Sequence, residues 1–212
     1  MRHLTFADRI VNEFDTALRT IAGQPKLTER PNPSEGMADA ELSDTERELA
    51  GRLMRINHAG EVSAQGLYQG QALTARLPQV REEMARAAME ENDHLEWCER
   101  RARELDTHVS YLNPLWYMGS LSIGALAGLA GDRWSLGFVV ETEKQVVKHL
   151  QEHEAQLSEN DQKSHAILSQ MREDEARHAD GAKSAGGADL PAPIRGLMQL
   201  TSKVMTRTAY WI

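Results

Sequence analysis

Apolar residues recur at the spacing of an α-helix along almost the whole chain, and no segment alternates as a strand would. This periodicity, with its capping residues and breakers, predicts five to seven helices. The clearest of them are expected at about 3–22, 44–77, 78–106, 135–157, 162–183 and 194–210. Ser43 and Glu46 form a capping-box pattern before the second helix, and Pro78 can open the third. The chain is therefore predicted to be all-α.

One stretch departs from this pattern because it carries no charge. Residues 109–131, VSYLNPLWYMGSLSIGALAGLAG, would be long enough to cross a bilayer as a helix. Asn113, Pro114, three serines and four glycines make it a poor spanning helix, however. We expect it to form a core hairpin or a helix that lies in the membrane interface.

Composition narrows the class of protein. The length of 212 residues suits one domain, or one domain with an appendage. The formal charge of -8 argues against nucleic acid as a partner, because no basic face is available to neutralise phosphates. The single cysteine, Cys98, excludes an intramolecular disulfide framework and fits a reducing cytoplasm. The N-terminal residues have helical periodicity, interrupted by Asp8, and do not form a signal peptide.

The motif E-x-x-H occurs twice in the predicted helices, as Glu91 with His94 and as Glu175 with His178. A spacing of i to i+3 places both side chains on one helix face, where they can bind one metal centre. Each copy also has a glutamate upstream at a nearly equal distance along the chain. Glu61 precedes the first motif in this way, and Glu143 precedes the second.

The turns between the helices indicate that these residues meet. Glu61 and Glu91 lie at similar distances on either side of Pro78, while Glu143 and Glu175 lie equally far on either side of Glu159 in the second turn. In an antiparallel helical hairpin, residues equidistant from the turn lie side by side. Two such hairpins would bring four carboxylates and two imidazoles to one level of a bundle. That is the ligand set of a carboxylate-bridged di-iron site.

Helical phase supports the choice of glutamates. Glu143 lies in the apolar stripe with Val139 and Val146, whereas Glu141 faces the polar side. The same test selects the other acids: Glu91 over Glu90, Glu175 over Glu173, and more weakly Glu61, whose face also carries Asn57 and His58.

Buried carboxylates need compensating charge, which two divalent cations would provide. The alternative is a pair of buried salt-bridge networks, for which these stripes supply few arginines or lysines. Glu90 with His94 and Asp174 with His178 are i,i+4 pairs in which the acid could orient the imidazole. The equally simple alternative for these pairs is an exposed acid near a histidine.

The chain also resembles a known family, the demethoxyubiquinone hydroxylases of ubiquinone (coenzyme Q) biosynthesis. The motifs that carry this resemblance are RINHAGEVSAQGLYQGQ, EENDHL, NPLW, the Gly-rich apolar segment, VVETEKQVVKHL and DEARHAD. They span about residues 50–210. We therefore divide the chain into an N-terminal helix and loop extension, 1–45, and a hydroxylase domain, 46–212.

The resemblance implies a ferritin-like four-helix bundle with additional N- and C-terminal helices and two iron ions per chain. The implied metal ligands are Glu61, Glu91, His94, Glu143, Glu175 and His178, with Glu91 and Glu175 bridging the two ions. His149 falls where the family has a histidine beside the site, which makes it a candidate catalytic residue.

The implied reaction is the hydroxylation of a polyprenylated benzoquinol ring with O2, and NADH is the implied source of electrons. The chain has no G-x-G-x-x-G fingerprint, so NADH would bind outside a Rossmann fold or through a partner. The uncharged segment would hold the protein at the cytoplasmic face of the cell membrane as a peripheral protein, with Trp116 and Tyr117 as interface anchors. The alternative is that these residues are only core. A homo-oligomer and a complex with other ubiquinone-biosynthesis proteins are both open.

Three other classes of protein share parts of this pattern. A ferritin-class iron-storage or ferroxidase protein would have the four-helix bundle, but this class does not explain the long uncharged segment. Another di-metal enzyme, such as a manganese catalase or a fatty-acyl oxidising protein, would have the same pattern of six metal ligands. A helical adaptor without metal would carry apolar residues at the six positions.

Overall fold

The computed structural model describes residues 6–22, 26–28 and 30–212, and over these residues it is entirely helical apart from turns and loops. The predicted all-α class is confirmed. The helices are α1 (Phe6–Ala22), α2 (Asp44–Thr74), α3 (Pro78–Glu104), α4 (Asn113–Leu129), α5 (Asp132–Glu154), α6 (Gln162–Ser184) and α7 (Ala192–Ala209). The expected start of the first helix, at residue 3, lies outside the described residues.

Helix ends differ from the prediction by up to three residues, and one residue accounts for two of these differences. Helix α2 ends at Thr74 rather than Leu77, and α5 begins at Asp132 rather than Ser135. The Asp132 carboxylate accepts hydrogen bonds from the backbone N–H groups of Arg76 (2.9 Å) and Leu77 (2.8 Å). A side chain from another helix thus satisfies the backbone that would otherwise continue α2. The predicted capping box at the start of α2 is present.

The two predicted hairpins, α2 with α3 and α5 with α6, form the bundle. Its core consists of two apolar layers. The first layer includes Leu53, Met54, Trp97, Cys98, Leu150, Ile167, Leu168 and Met171. The second includes Tyr68, Val80, Met84, Leu136, Val139, Val140 and Ala182. On each of the four helices, the predicted ligands lie between the residues of one layer and those of the other. The polar site is therefore enclosed above and below by hydrophobic core.

The uncharged segment forms one helix, α4, which packs along α2, so the expected core hairpin is wrong. Glycines allow this close approach. A Cβ on Gly70 would collide with the carbonyl oxygen of Leu121, and one on Gly124 with that of Leu67. Of the glycines that make the segment a poor spanning helix, Gly124 and Gly128 are thus packing positions against α2. No helix among the described residues has the length and apolarity needed to cross a membrane.

The outer surfaces of the helices around the bundle carry many exposed apolar side chains. On α4 these are Leu115, Met118, Ile123, Leu126 and Leu129, and on α7 they are Ile194, Leu197, Leu200 and Val204. Tyr117, by contrast, is fully buried, so its predicted role as an interface anchor is wrong. Trp116 is half-buried and packs against the first apolar layer. Both aromatic residues therefore contribute to the packing of α4 on the bundle.

Candidate metal centre

The structure brings the six predicted side chains together from four helices. Glu61 comes from α2, Glu91 and His94 from α3, Glu143 from α5, and Glu175 with His178 from α6. The five residues other than His178 are buried, and the His178 side chain is only 8% exposed. Ligand atoms of Glu61, Glu91, His94 and Glu175 all lie within 4.8 Å of one another.

Two of the glutamates reach both histidines. Glu91 Oε2 lies 2.9 Å from His94 Nδ1, and Glu91 Oε1 lies 3.1 Å from His178 Nδ1. Glu175 repeats this arrangement, with Oε1 at 3.1 Å from His94 Nδ1 and Oε2 at 3.2 Å from His178 Nδ1. Each carboxylate therefore spans the centre of the site, as a carboxylate shared by two metal ions would.

The remaining two glutamates complete the centre from opposite hairpins. Glu61 Oε2 lies 3.7 Å from His94 Nδ1. Glu143 accepts a hydrogen bond from the hydroxyl of Tyr68, which is fully buried. Sequence reasoning did not assign Tyr68 a role, although it lies two helical turns after Glu61 on the same face of α2.

The outward nitrogen of each imidazole is held by a second carboxylate, and the pairing is crossed. His94 Nε2 lies 3.0 Å from Asp174, and His178 Nε2 lies 2.9 Å from Glu90. The expected pairs within one helix, Glu90 with His94 and Asp174 with His178, are therefore wrong. Each ring extends across the interface between α3 and α6, so its outer nitrogen meets the other helix. Such outer carboxylates usually fix the tautomer and orientation of a metal-bound imidazole.

Arginines neutralise these outer carboxylates. Arg30, in the loop before α2, donates to Asp174 at 2.7 Å and to Asp93 at 3.0 Å. Arg177 forms an ion pair with Glu90 at 3.0 Å. Sequence reasoning missed the role of Arg30, because a loop residue carries no helical period that would place it near the site.

The inner glutamates lack comparable cations. Within the part of the chain that the structure describes, the ion pairs of Glu61, Glu91 and Glu175 are formed only with the two histidines. Glu91 Oε1 and Glu175 Oε1 are buried and accept no well-aligned hydrogen bond from any described residue. Unsatisfied buried oxygens of this kind are costly. The donor set thus fits hard or borderline divalent cations better than the alternative of a salt-bridge network.

In the metal-free site, burial and the repulsion between carboxylates disfavour the ionised forms of Glu61 and Glu143. Burial raises the pKa of Glu61 well above its usual value, and the charges of Glu91 and Glu175 add to the increase. Burial also raises the pKa of Glu143, again with a contribution from the charge of Glu175. Four carboxylates in one buried site cannot all ionise without compensation.

The histidines take up part of this compensation. Burial alone would lower the pKa of His94, but the charge of Glu91 and several carboxylate hydrogen bonds raise it well above its usual value. Against a similar effect of burial, Glu175 and Glu91 raise the pKa of His178 to about 12. Protonated His94 and His178 would therefore supply positive charge that bound metal ions could otherwise provide.

A cavity of about 480 Å³ opens beside the centre. Glu61, Glu143 and Glu175 form part of its wall. Most of the other lining residues are apolar and come from α2, α4, α5 and α7: they include Leu67, Leu115, Ile123, Phe138, Val146, Met198 and Val204. Ile123 and Val204 are also exposed on the outer surface, so the cavity opens between α4 and α7.

His149 does not belong to the group of six but lines this cavity. Its ring centroid lies 3.8 Å from that of His153, and its Nε2 is buried without a hydrogen-bond partner among the described residues. Burial lowers its pKa, so the ring is neutral at physiological pH. A catalytic role for His149 stays a prediction.

A four-helix bundle with buried glutamates and histidines between two apolar layers is a ferritin-like fold with a candidate carboxylate-rich metal site. The fold is similar to that of the bacterioferritin-related protein, a dodecameric thioferritin, from Bacteroides fragilis, with a TM-score of 0.54 over 71% of this chain and 88% of that one. The two sequences are 19% identical, so this likeness concerns the fold alone.

Sequence similarity defines the family within this class. Residues 48–209 match the family described as ubiquinone biosynthesis protein COQ7, and the chain belongs to that family. It is 61% identical to the 3-demethoxyubiquinol 3-hydroxylase of Nitrosococcus oceani, over 100% of this chain and 99% of that protein. It is 55% identical to that of Legionella pneumophila strain Corby over both full lengths, and 56% identical to that of Stutzerimonas stutzeri over 100% of this chain and 98% of the relative.

Proposed function

We propose that this protein is a 3-demethoxyubiquinol 3-hydroxylase, which uses two iron ions and O2 to hydroxylate a polyprenylated benzoquinol ring. The observation that carries the proposal is the opening of the buried Glu and His cluster directly into an apolar cavity. An iron-storage protein has no need of a cavity suited to a ring and an apolar tail.

The six clustered side chains would hold both irons, with Glu91 and Glu175 shared between them. When bound, the irons supply the reduction of O2 and the transfer of one oxygen atom to the ring. One oxygen atom enters a ring C–H bond and the other leaves as water, with two electrons and two protons from a donor. We propose NADH as the source of these electrons.

The chain itself orients the ligands and keeps water from the reacting ring. Asp174 and Glu90 hold the outer nitrogens of the imidazoles, and the Tyr68 hydroxyl holds Glu143. The apolar cavity wall excludes water and accepts the ring with the start of its tail. His149, a neutral imidazole on this wall, is suited to exchange a proton with a ring hydroxyl at its free Nε2.

We also propose that α4 and α7 lie in the membrane interface, at the cytoplasmic face of the cell membrane. Both helices line the cavity, and both carry exposed apolar side chains around its opening, such as Ile123 and Val204. A polyprenyl substrate could then pass from the lipid to the metal centre without crossing water. Exposed apolar surface of this kind is typical of interfacial helices and of protein interfaces, and a homo-oligomer or a complex with other ubiquinone-biosynthesis proteins is compatible with it.

The proposal is tested by metal content and product analysis on the full chain. Loaded with Fe(II) without oxygen, the protein should hold two irons per chain and then convert a short-chain demethoxyubiquinol, given O2 and a reductant, to the hydroxylated product. Glu175→Ala should lose iron and activity, because it removes a carboxylate that reaches both histidines.

Glu173→Ala is the matched control, since Glu173 is exposed on the same helix. Two irons retained by Glu175→Ala would contradict the ligand assignment. Uptake of many irons per chain without hydroxylated product would instead indicate storage.

A further inference from the structure

Asn57 is a buried polar residue for which the metal centre offers no role. It lies on α2, one turn before Glu61, and is only 3% exposed. It lines the apolar cavity. Its side-chain Oδ1 lies 2.8 Å from His153 Nδ1, whereas its Nδ2 has no hydrogen-bond partner among the described residues.

The contact with His153 leaves the nitrogen edge of the Asn57 amide free. Burial lowers the pKa of His153 to about 3, with a further contribution from His149, so the ring is neutral. Because an amide oxygen can only accept, the proton of the neutral ring lies on Nδ1 in this arrangement and is donated to Asn57 Oδ1. Both hydrogen atoms of the Asn57 amide nitrogen then lack a partner.

A buried donor without a partner is costly, and no described residue accepts a hydrogen bond from Asn57 Nδ2. An oxygen substituent of a benzoquinol ring can accept this bond, because hydroxyl, carbonyl and methoxy oxygens all accept hydrogen bonds. Residues four apart on a helix have neighbouring side chains, so a ring bound at Asn57 would lie beside Glu61 and the metal centre.

We propose that Asn57 binds the substrate by donating a hydrogen bond to a ring oxygen, and that His153 is a positioning residue that holds the amide in the required orientation. This inference rests on the proposed function. It assigns a polar contact that helps to place the ring, whereas most of the cavity wall provides apolar contact.

Affinity and coupling test the role of Asn57. Asn57→Leu keeps a similar size but removes the donor. In the iron-loaded, air-oxidised full chain, the Kd for an oxidised short-chain demethoxyubiquinone should rise about tenfold, which corresponds to about 1.4 kcal/mol. Tryptophan fluorescence can report binding, because Trp116 lines the cavity. Iron content should stay at the wild-type level.

During turnover of Asn57→Leu, KM should rise and more O2 should be consumed per product formed, because the ring is no longer held in place.

Conservative replacement tests the role of His153. His153→Leu should weaken binding in the same direction as Asn57→Leu, whereas His153→Gln should restore most of the affinity, since the Gln amide can donate to Asn57 Oδ1. Gln156→Ala is the control, because the Gln156 side chain is exposed in the turn after α5 and donates to the backbone carbonyl of Glu152.

The outcomes separate this inference from the proposed function. If the wild-type protein forms no hydroxylated product, the proposed function fails. If it does, while Asn57→Leu binds the quinone with wild-type affinity and couples O2 to product normally, the role of Asn57 is wrong. Equal loss in His153→Gln and His153→Leu would overturn the positioning role of His153.

Discussion

Each imidazole of the metal centre is held from two sides. Nδ1 faces Glu91 and Glu175, and Nε2 meets a carboxylate of the opposite hairpin. Because both nitrogens are engaged, neither ring can rotate without losing a contact. We therefore expect substitution of a side chain that faces the metal centre to affect iron binding much more than substitution of a neighbouring side chain that points away from it.

Two glutamates on α5 allow this difference to be measured. Glu143 is buried in the centre, whereas Glu141 is partly exposed and accepts a hydrogen bond from Gln145 at 2.7 Å. Glu143→Gln removes a charged ligand and should lower iron affinity by more than about tenfold. Glu141→Gln should keep iron and activity close to wild type. Iron analysis after gel filtration checks both variants, and the opposite result would show that the helical phase is misassigned.

At the scale of the elements, the sequence was sufficient to predict which residues meet, because spacing from a turn sets the level of a residue in a hairpin. Glu143 and Glu175, equally distant from Glu159 along the chain, do lie side by side. The partners of the outer imidazole nitrogens could not be predicted in this way. They depend on how far each helix is rotated against its neighbour, which helical periodicity does not specify.

Helix α4 illustrates the same limit. Its lack of charge indicates an unusual environment but does not indicate which face of the helix is buried. Tyr117 and Met118 are adjacent in sequence, yet Tyr117 is fully buried and Met118 is exposed. The close approach of Gly124 and Gly128 to α2 places their face of the helix against the bundle. The opposite face is left with Met118, Leu126 and Leu129 exposed.

The exposed face of α4 provides a test of membrane binding. Met118→Ser with Leu126→Ser should weaken binding to phospholipid vesicles by about a hundredfold, because two side chains of this size each contribute at least about 1.4 kcal/mol when buried. Iron content should not change, since neither residue lines the cavity. Flotation with vesicles measures the binding.

The control variant carries the same kind of change on another part of the surface, Leu77→Ser with Met89→Ser, where both residues are also exposed. Equal loss of binding in the two variants would contradict a specific role of α4.

At the scale of the whole molecule, a charged centre is enclosed by two apolar layers and reached through an apolar cavity. Its charges must therefore balance within the site. In the metal-free protein, burial raises the pKa values of Glu61 and Glu143, and the surrounding carboxylates raise those of His94 and His178 despite burial. These shifts favour protonation of all four groups.

Metal binding should therefore release protons. All four groups have pKa values above their usual range, so metal ions must displace protons that the site still holds, and affinity should increase with pH. We expect about a tenfold gain in Fe(II) affinity per pH unit for each displaced proton between about pH 6 and 8. Anaerobic titration in weak buffer, with a pH indicator, measures the release. Binding without proton release would show that the site is already deprotonated.

The exchange of carboxylate partners between the two hairpins has a consequence for how a cell handles this protein. Each half of the chain by itself lacks the carboxylate that holds the outer nitrogen of its imidazole, since that carboxylate belongs to the other half. A nascent or partly unfolded chain would thus offer no competent iron site. Redox-active metal would be accepted only by molecules that have finished folding, which limits the release of damaging oxygen species from incomplete ones.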